Sequence, residues 1–261
     1  MKKLFLIYNY FVYLFKSTNE HGVHSPFVYD LLTTVIYNKT DYYVYKEIEL
    51  LREKLKHSTE TVSCIDLGAG SHKSGSSTRT VKQLLHYSVK PAKYSQLLFR
   101  LANHFQPETV LELGTSLGIT AAYIAKANSK SNFITIEGCP EIAAIAKRNL
   151  SELNFTNVQM MVGNFDTLLP DIIEKTKPID FVFFDGNHRK AATLNYFNQC
   201  LKKINEGSVF VFDDIYWSAE MKEAWQEIKS NDKVTVTIDL FFMGIVFFRK
   251  EQNKEHFILR F

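Results

Sequence analysis

Apolar and polar positions alternate between two regular patterns through most of this chain, and the alternation predicts strand after helix after strand. Val110 to Leu113 is an uninterrupted apolar run with one acid, Glu112, inside it, and it passes through Gly114 and Gly118 into the helical pattern Ile119 to Ala125. Phe133 to Glu137 and Val158 to Val162 read as two more buried strands, with the helical pattern Glu141 to Leu150 between them. Ile179 to Phe184 and Ser208 to Phe212 are the next two, and Val234 to Asp239 with Met243 to Arg249 reads as a closing hairpin whose Gly244 lies close to the turn. Upstream, Tyr42 to His57 fits a solvated amphipathic helix. Ala92 to Phe105 fits a second helix, with Tyr94, Leu97, Leu98, Leu101 and Phe105 on its apolar face. Strands alternating with helices predict a parallel α/β sheet covered on both faces.

In such sheets the carboxyl ends of the strands carry the ligand sites. The turn Gly114-Thr-Ser-Leu-Gly118 lets the backbone approach a ligand closely and opens a helix whose first N–H groups are unpaired, as in nucleotide-binding turns. Its spacing is not the full G-x-G-x-x-G, and glycine-rich turns also occur without a ligand. Glu137 ends the second strand, where an acid can accept hydrogen bonds from both hydroxyls of a ribose. Asp166 follows the third strand and either reads an adenine amino group or caps the helix beginning there. The fourth strand delivers Asp185-Gly-Asn-His188 and the fifth Asp213-Asp214.

A second turn, Cys64-Ile-Asp-Leu-Gly-Ala-Gly-Ser71, imitates the first. A polar Gly/Ser-rich stretch follows it instead of a helix face, and no acid-ended strand arrives at the expected distance, so it is read as part of a cap. Ser25 as N-cap with Pro26 at the first helical position explains His24-Ser-Pro-Phe without metal ligation by His21 and His24. The opening run Met1 to Lys16 is basic, then apolar and aromatic, without a small-residue cleavage site and too short to cross a bilayer. Three placements are open for it: packed on the α/β domain, in a dimer contact, or as an interfacial membrane helix.

With 261 residues and 46% hydrophobic content, the chain can bury a full core. The formal charge of +3 has no dense basic run behind it, so nucleic acid is not expected as a partner. Three cysteines, odd in number and without metal-site spacing, suggest reduced thiols and a cytoplasmic protein.

From about Lys90 to Lys250 the chain resembles the class I S-adenosylmethionine-dependent methyltransferases, nearest to the catechol and caffeoyl-CoA O-methyltransferase type. The segments that carry this are LELGTSLG, ITIEGCPE, VGNFDTLLPDI, FVFFDGNH, GSVFVFDDIYW and VTVTIDLFFMGIVFFRK. The resemblance implies a Rossmann-like α/β sheet of seven strands, the last antiparallel, over residues 90–261, with residues 1–89 as helical and loop cap elements. It implies S-adenosylmethionine bound through Glu112, Gly114, Ser116, Gly118, Glu137 and Asp166. It also implies Mg²⁺, or another divalent cation, held by Asp185, Asp213 and Asp214, the last standing where the family often has Asn. Where catechol-type enzymes place a lysine base this chain has His188, an arrangement nearer to that of sugar and macrolide O-methyltransferases. A histidine can take a hydroxyl proton near neutral pH.

The expected activity is therefore methyl transfer to a hydroxylated small molecule, with Asp185 and His188 catalytic. The alternatives are a metal-independent methyltransferase with a protein, tRNA or nitrogen acceptor, and a module that binds S-adenosylmethionine without transferring it. Structural readings also stand beside each site residue: His188 as N-cap of a helix Lys190 to Lys203, Asp214 as an exposed loop acid, Tyr216 and Trp217 as packing instead of acceptor pocket. A homodimer is a further open partner.

Overall fold

A computed structural model describes residues 2–64 and 77–261. The Gly-containing turn around Asp66, Gly68 and Gly70 lies outside the described residues. The chain divides into two compact units, one made of residues 1–38 and 172–261 and the other of residues 39–171. That division follows spatial contact, and it shares the elements before residue 89 between both units.

The first unit opens with α1 (Lys2–Lys16) and α2 (Pro26–Leu31). Ser25 caps α2, its side chain accepting from Val28 N–H, with Pro26 in the first turn as the sequence predicts. The second unit then runs α3 (Tyr43–Lys56), β1 (Thr61–Cys64), β2 (Ser77–Thr80), α4 (Val81–Ser88), α5 (Ala92–Phe105), β3 (Thr109–Leu113), α6 (Ile119–Ala127), β4 (Asn132–Glu137), α7 (Pro140–Glu152) and β5 (Val158–Val162). Helix α8 (Phe165–Lys175) leads back to the first unit, which finishes with β6 (Phe181–Phe184), α9 (Lys190–Cys200), β7 (Val209–Asp213), α10 (Ala219–Ser230), β8 (Val236–Asp239), β9 (Met243–Phe247) and β10 (Glu255–Ile258).

Within the second unit β3 pairs parallel with β4, and β4 parallel with β5. Strand β3 is buried at every position and β4 along its length except its ends, as their apolar runs require. The β1–β2 hairpin stands apart from these strands, antiparallel from Thr61 opposite Thr80 to Cys64 opposite Ser77. Its exit is fixed by a capping box at the start of α4, where Thr80 and Gln83 each bond the other's backbone N–H.

Within the first unit β6 pairs parallel with β7, β7 antiparallel with β9, and β9 antiparallel with β8. The hairpin expected at the end of the sequence is this β8–β9 pair. The fold is the Rossmann-like α/β class expected, with one correction to the strand count. Beyond the seventh strand, β10 adds to β8 in parallel register, with Glu255 N–H bonded to Thr235 O and Leu259 N–H to Asp239 O. Its sequence, Glu-His-Phe-Ile, carries little strand signal, and its order comes from satisfying the otherwise open edge of β8.

The cysteines also need correcting. Cys139 is disulfide-bonded, whereas the sequence suggested reduced thiols throughout. Cys200 is a free thiol, fully buried in α9, and burial pushes its pKa up.

Candidate functional site

The glycine-rich turn in the second unit is held from below and from the side. Below it, Glu112 and Thr135 are direct cross-strand partners. Thr135 donates to Glu112 Oε2 at 2.6 Å, and the Thr115 hydroxyl lies 2.5 Å from that of Thr135. Because the Thr135 proton points to the carboxyl, Thr115 is the donor in the second contact, so the bonds run from the turn down to the strand. Glu112 has no exposure, and burial pushes its pKa from 4.5 up to about 8. From the side, Ser116 N–H donates to Glu137 Oε2 at 2.8 Å while Cys139 N–H donates to Oε1 at 3.0 Å. Each oxygen of Glu137 thus accepts one backbone bond.

The turn's own backbone is left-handed at three places: Gly114 (φ 105°), Ser116 (φ 49°) and Gly118 (φ 79°). Ser116 holds this conformation without being glycine, a strain of roughly 1 kcal/mol or more that the bond to Glu137 offsets. A Cβ at Gly118 would meet Ala146 and Leu150 of α7 only at ordinary contact distance, 3.4 Å, so it is the positive φ that favours glycine here. No side chain caps α6, which leaves its first amides for a ligand. Ser116 Oγ and Glu112 Oε1 are buried without a hydrogen-bond partner among the described residues. Unsatisfied buried polar atoms beside open helix amides fit a site that a polar ligand completes.

Asp166 sits in the first turn of α8, exposed. It is not the cap: Asn164 Oδ1 accepts from Asp166 N–H at 2.8 Å, so the capping role belongs two residues earlier. That removes the structural reading of Asp166 that the sequence left open.

In the first unit three residues converge. Asp185 directly follows β6, and the chain then turns through Asn187 in the left-handed region (φ 54°). Asn187 Nδ2 donates to the Tyr196 hydroxyl at 3.1 Å, and Arg189 N–H to Asn187 O at 2.6 Å, which fixes the turn. His188 Nε2 consequently lies 3.7 Å from Asp185 Oδ1. Asp213, the last residue of β7 and 1% exposed, completes the group. One ligand atom from each of Asp185, His188 and Asp213 lies within 4.8 Å of the others. His188 does not cap the following helix, because the N-cap of α9 is Arg189, with no side-chain bond.

Asp214 is not part of this group. Its backbone is left-handed (φ 52°), its N–H bonds Phe242 O at 2.8 Å, and its carbonyl accepts from Trp217 N–H at 2.8 Å. Where the resemblance implied three acids, the structure gathers two acids and a histidine. The Asp213–Trp217 turn is held by a carboxylate that sequence reasoning passed over. Asp239, at the end of β8, accepts from the Tyr216 hydroxyl at 2.8 Å, Trp225 Nε1 at 3.2 Å and its own Phe241 N–H at 2.9 Å. Burial raises the Asp239 pKa against the pull of those three donors. Tyr216 stacks on Phe241, so it packs, whereas Trp217 is exposed.

Residues 111–215 match the family model described as a methyltransferase domain. A catechol O-methyltransferase of Niastella koreensis is 33% identical over 133 residues, covering 49% of this chain and 58% of that protein. A catechol O-methyltransferase of Mycobacterium tuberculosis is 29% identical over 126 residues, covering 48% and 56%. The chain thus spans a little over half the length of these two relatives. Among solved structures, an O-methyltransferase from Bacillus cereus in complex with SAH aligns over 82% of this chain and 95% of its own, with a TM-score of 0.55 and 17% identity, a likeness of fold.

Proposed function

We propose that this chain, which carries a class I S-adenosylmethionine-dependent methyltransferase domain, transfers the cofactor's methyl group to a hydroxyl of a small molecule with the help of a divalent cation. The observation that carries the reading is the convergence of Asp185, His188 and Asp213 on one space. It favours transfer over a module that only binds the cofactor, which would have no use for a base beside two acids.

In this reading Gly114, Ser116 and Gly118 bring the backbone against the cofactor, Glu137 accepts the ribose hydroxyls, and Asp166 reads the adenine. Glu112 supports the turn from beneath through Thr135 and Thr115. The bound cofactor supplies a sulfonium methyl. Asp185 and Asp213 would hold the cation, for which two hard carboxylates fit Mg²⁺ or Mn²⁺, with water and acceptor oxygens completing its shell. Such a cation lowers the pKa of a hydroxyl bound to it. His188 receives the hydroxyl proton at an imidazole nitrogen, and Asp185 stabilises the resulting imidazolium. The turn fixed by Asn187 and Tyr196 keeps the two groups oriented.

A metal-free mechanism, with His188 alone as base, is favoured by one observation: Asp214 stays out of the cluster, so two acids are available and not three. Thermal-shift measurement against S-adenosylhomocysteine, with and without Mg²⁺, followed by a methylation screen over hydroxylated metabolites, tests the proposal. Stabilisation by S-adenosylhomocysteine that Mg²⁺ augments supports it. No stabilisation by S-adenosylhomocysteine overturns it.

A further inference from the structure

Helix α1 is amphipathic in the wrong sense for a protein standing alone in water. One face is tied into the first unit through polar groups. The Tyr13 hydroxyl donates to Leu259 O at 2.5 Å, Lys222 Nζ donates to the buried Asn9 at 2.8 Å, and Thr18, just past the helix, bridges to Leu259. The opposite face presents Leu4, Ile7, Tyr8, Phe11 and Phe15 to solvent, Phe11 at 64% exposure and Phe15 at 93%. Spacings of three, one, three and four place these five on a single stripe along the helix. Scattered exposed apolar residues are ordinary, but a continuous stripe of this size marks a contact surface.

Charge selects the occupant. From residue 2 to residue 16 there is no acid, and lysines stand at both ends, Lys3 and Lys16. Lys222 of α10, which bonds the buried Asn9, belongs to the packed face and adds nothing to this charge. A second copy of the chain is a poor match. If two α1 helices paired antiparallel through Tyr8 and Phe11, each Lys3 would face the other copy's Lys16, and a parallel pair would set like lysines side by side. An anionic bilayer surface meets both requirements, burying aromatic and aliphatic side chains at headgroup depth and attracting flanking lysines. Among the described residues no helix is long and apolar enough to cross a membrane, so the contact would be peripheral.

We propose that the exposed face of α1 docks this protein on an anionic lipid surface. The proposal goes beyond the methyltransferase reading and is independent of it. The position of the helix links docking to the candidate site, because Tyr10 packs edge-on against Phe241, on which Tyr216 of the Asp213–Trp217 turn is stacked.

Co-sedimentation of the full chain with phosphatidylcholine vesicles, with and without phosphatidylglycerol, tests this. Binding is expected only with phosphatidylglycerol and should weaken with added salt. Phe11→Ser/Phe15→Ser should reduce partitioning by about tenfold or more, since apolar burial drives interfacial helices. Lys3→Glu/Lys16→Glu should abolish the preference for the anionic lipid, each lysine contributing about fivefold. All four side chains are exposed, so melting temperatures should match the parent and confirm folding. Failure to bind phosphatidylglycerol vesicles, or binding indifferent to the Phe11/Phe15 change, overturns the proposal. So does a dimer, seen by light scattering, that the same change dissociates, because the face would then belong to a second copy.

Discussion

His188 Nε2 and Asp185 Oδ1 lie 3.7 Å apart across a turn held in the left-handed region at Asn187. That separation is too long for a direct hydrogen bond and short enough for the acid to stabilise a proton arriving on the imidazole. A base held in this way loses its chemistry on substitution by Gln, while its packing is kept. His188→Gln should therefore fold normally and lose about 10²- to 10⁴-fold in turnover. A variant that melts early but keeps its specific activity per folded molecule would return His188 to a structural role.

The Asp185–Asp213 pair makes the metal question measurable. Two carboxylates sharing one small space repel each other, and a divalent ion between them relieves that repulsion and stabilises the folded state. Mg²⁺ or Mn²⁺ should raise the melting temperature in the presence of S-adenosylhomocysteine, and EDTA should abolish transfer. Asp185→Asn and Asp213→Asn should each lose the metal response, whereas Asp214→Asn should keep it, because Asp214 stands outside the cluster. Full activity in EDTA would leave His188 as the sole base.

For cofactor binding the test residue is Glu137, whose oxygens each already hold one backbone N–H. If Glu137 accepts the two ribose hydroxyls as proposed, Glu137→Ala removes those acceptors and releases Ser116 from its strained conformation as well. Charge-assisted bonds are worth about 1.5 to 3 kcal/mol each, so S-adenosylhomocysteine should bind at least about tenfold more weakly. Calorimetry giving the parent affinity would remove Glu137 from the site.

How much of this could be read from the sequence depends on what each residue answers to. The strand ends that carry Glu137, Asp185 and Asp213 were legible, because buried strands write continuous apolar runs and the acid after each run marks its end. The cap of α8 was not: Asn164 and Asp166 can both cap a helix, and only the register of the first turn separates them. Asp214 was grouped with Asp213 through the family resemblance, but neighbouring residues at a strand end point in different directions, and the left-handed backbone at Asp214 turns it away. Asp239 reads as an ordinary acid before a turn. Its three donors, Tyr216, Trp225 and the Phe241 amide, include two from distant elements that no local pattern reports. Residues 65–76, read as part of a cap, lie outside the described residues.

Glu112 gives the chain a stability that falls as pH rises. Its folded pKa of about 8 stands above the ordinary 4.5, so between those values the folded state keeps a proton that the unfolded chain has released. The stabilising contribution is complete below about pH 4.5, is lost progressively as pH rises toward 8, and declines no further above that. Glu112→Gln keeps the shape and one acceptor for Thr135 but cannot ionise. Without ligand, its unfolding free energy relative to the parent should therefore improve between pH 5 and pH 8, by about a few kcal/mol in urea titrations. A difference that stays constant over that range would mean that Glu112 does not titrate there.

Gly244 lies in β9, opposite both Phe212 and Asp239 and close to the hairpin turn as the sequence suggested, but its backbone is not left-handed, so the turn does not require a glycine there. Its reason for being glycine is instead the ring of Trp225: a Cβ there would come within 2.6 to 2.9 Å of three indole carbons. Trp225 is 1% exposed and its Nε1 is committed to Asp239, so the ring cannot swing aside without leaving that carboxylate short of a donor. Gly244→Ala should cost about 1 to 3 kcal/mol through overpacking. Trp225→Phe removes the colliding part of the ring, and it is destabilising by itself through the space and the hydrogen bond it gives up. In the double variant the new methyl occupies part of that space, so the combined loss should fall short of the sum of the two single losses by about 0.5 kcal/mol or more. Urea denaturation of the four proteins supplies the comparison. Strict additivity would mean that the alanine methyl is accommodated elsewhere and that the Trp225 contact does not explain the glycine.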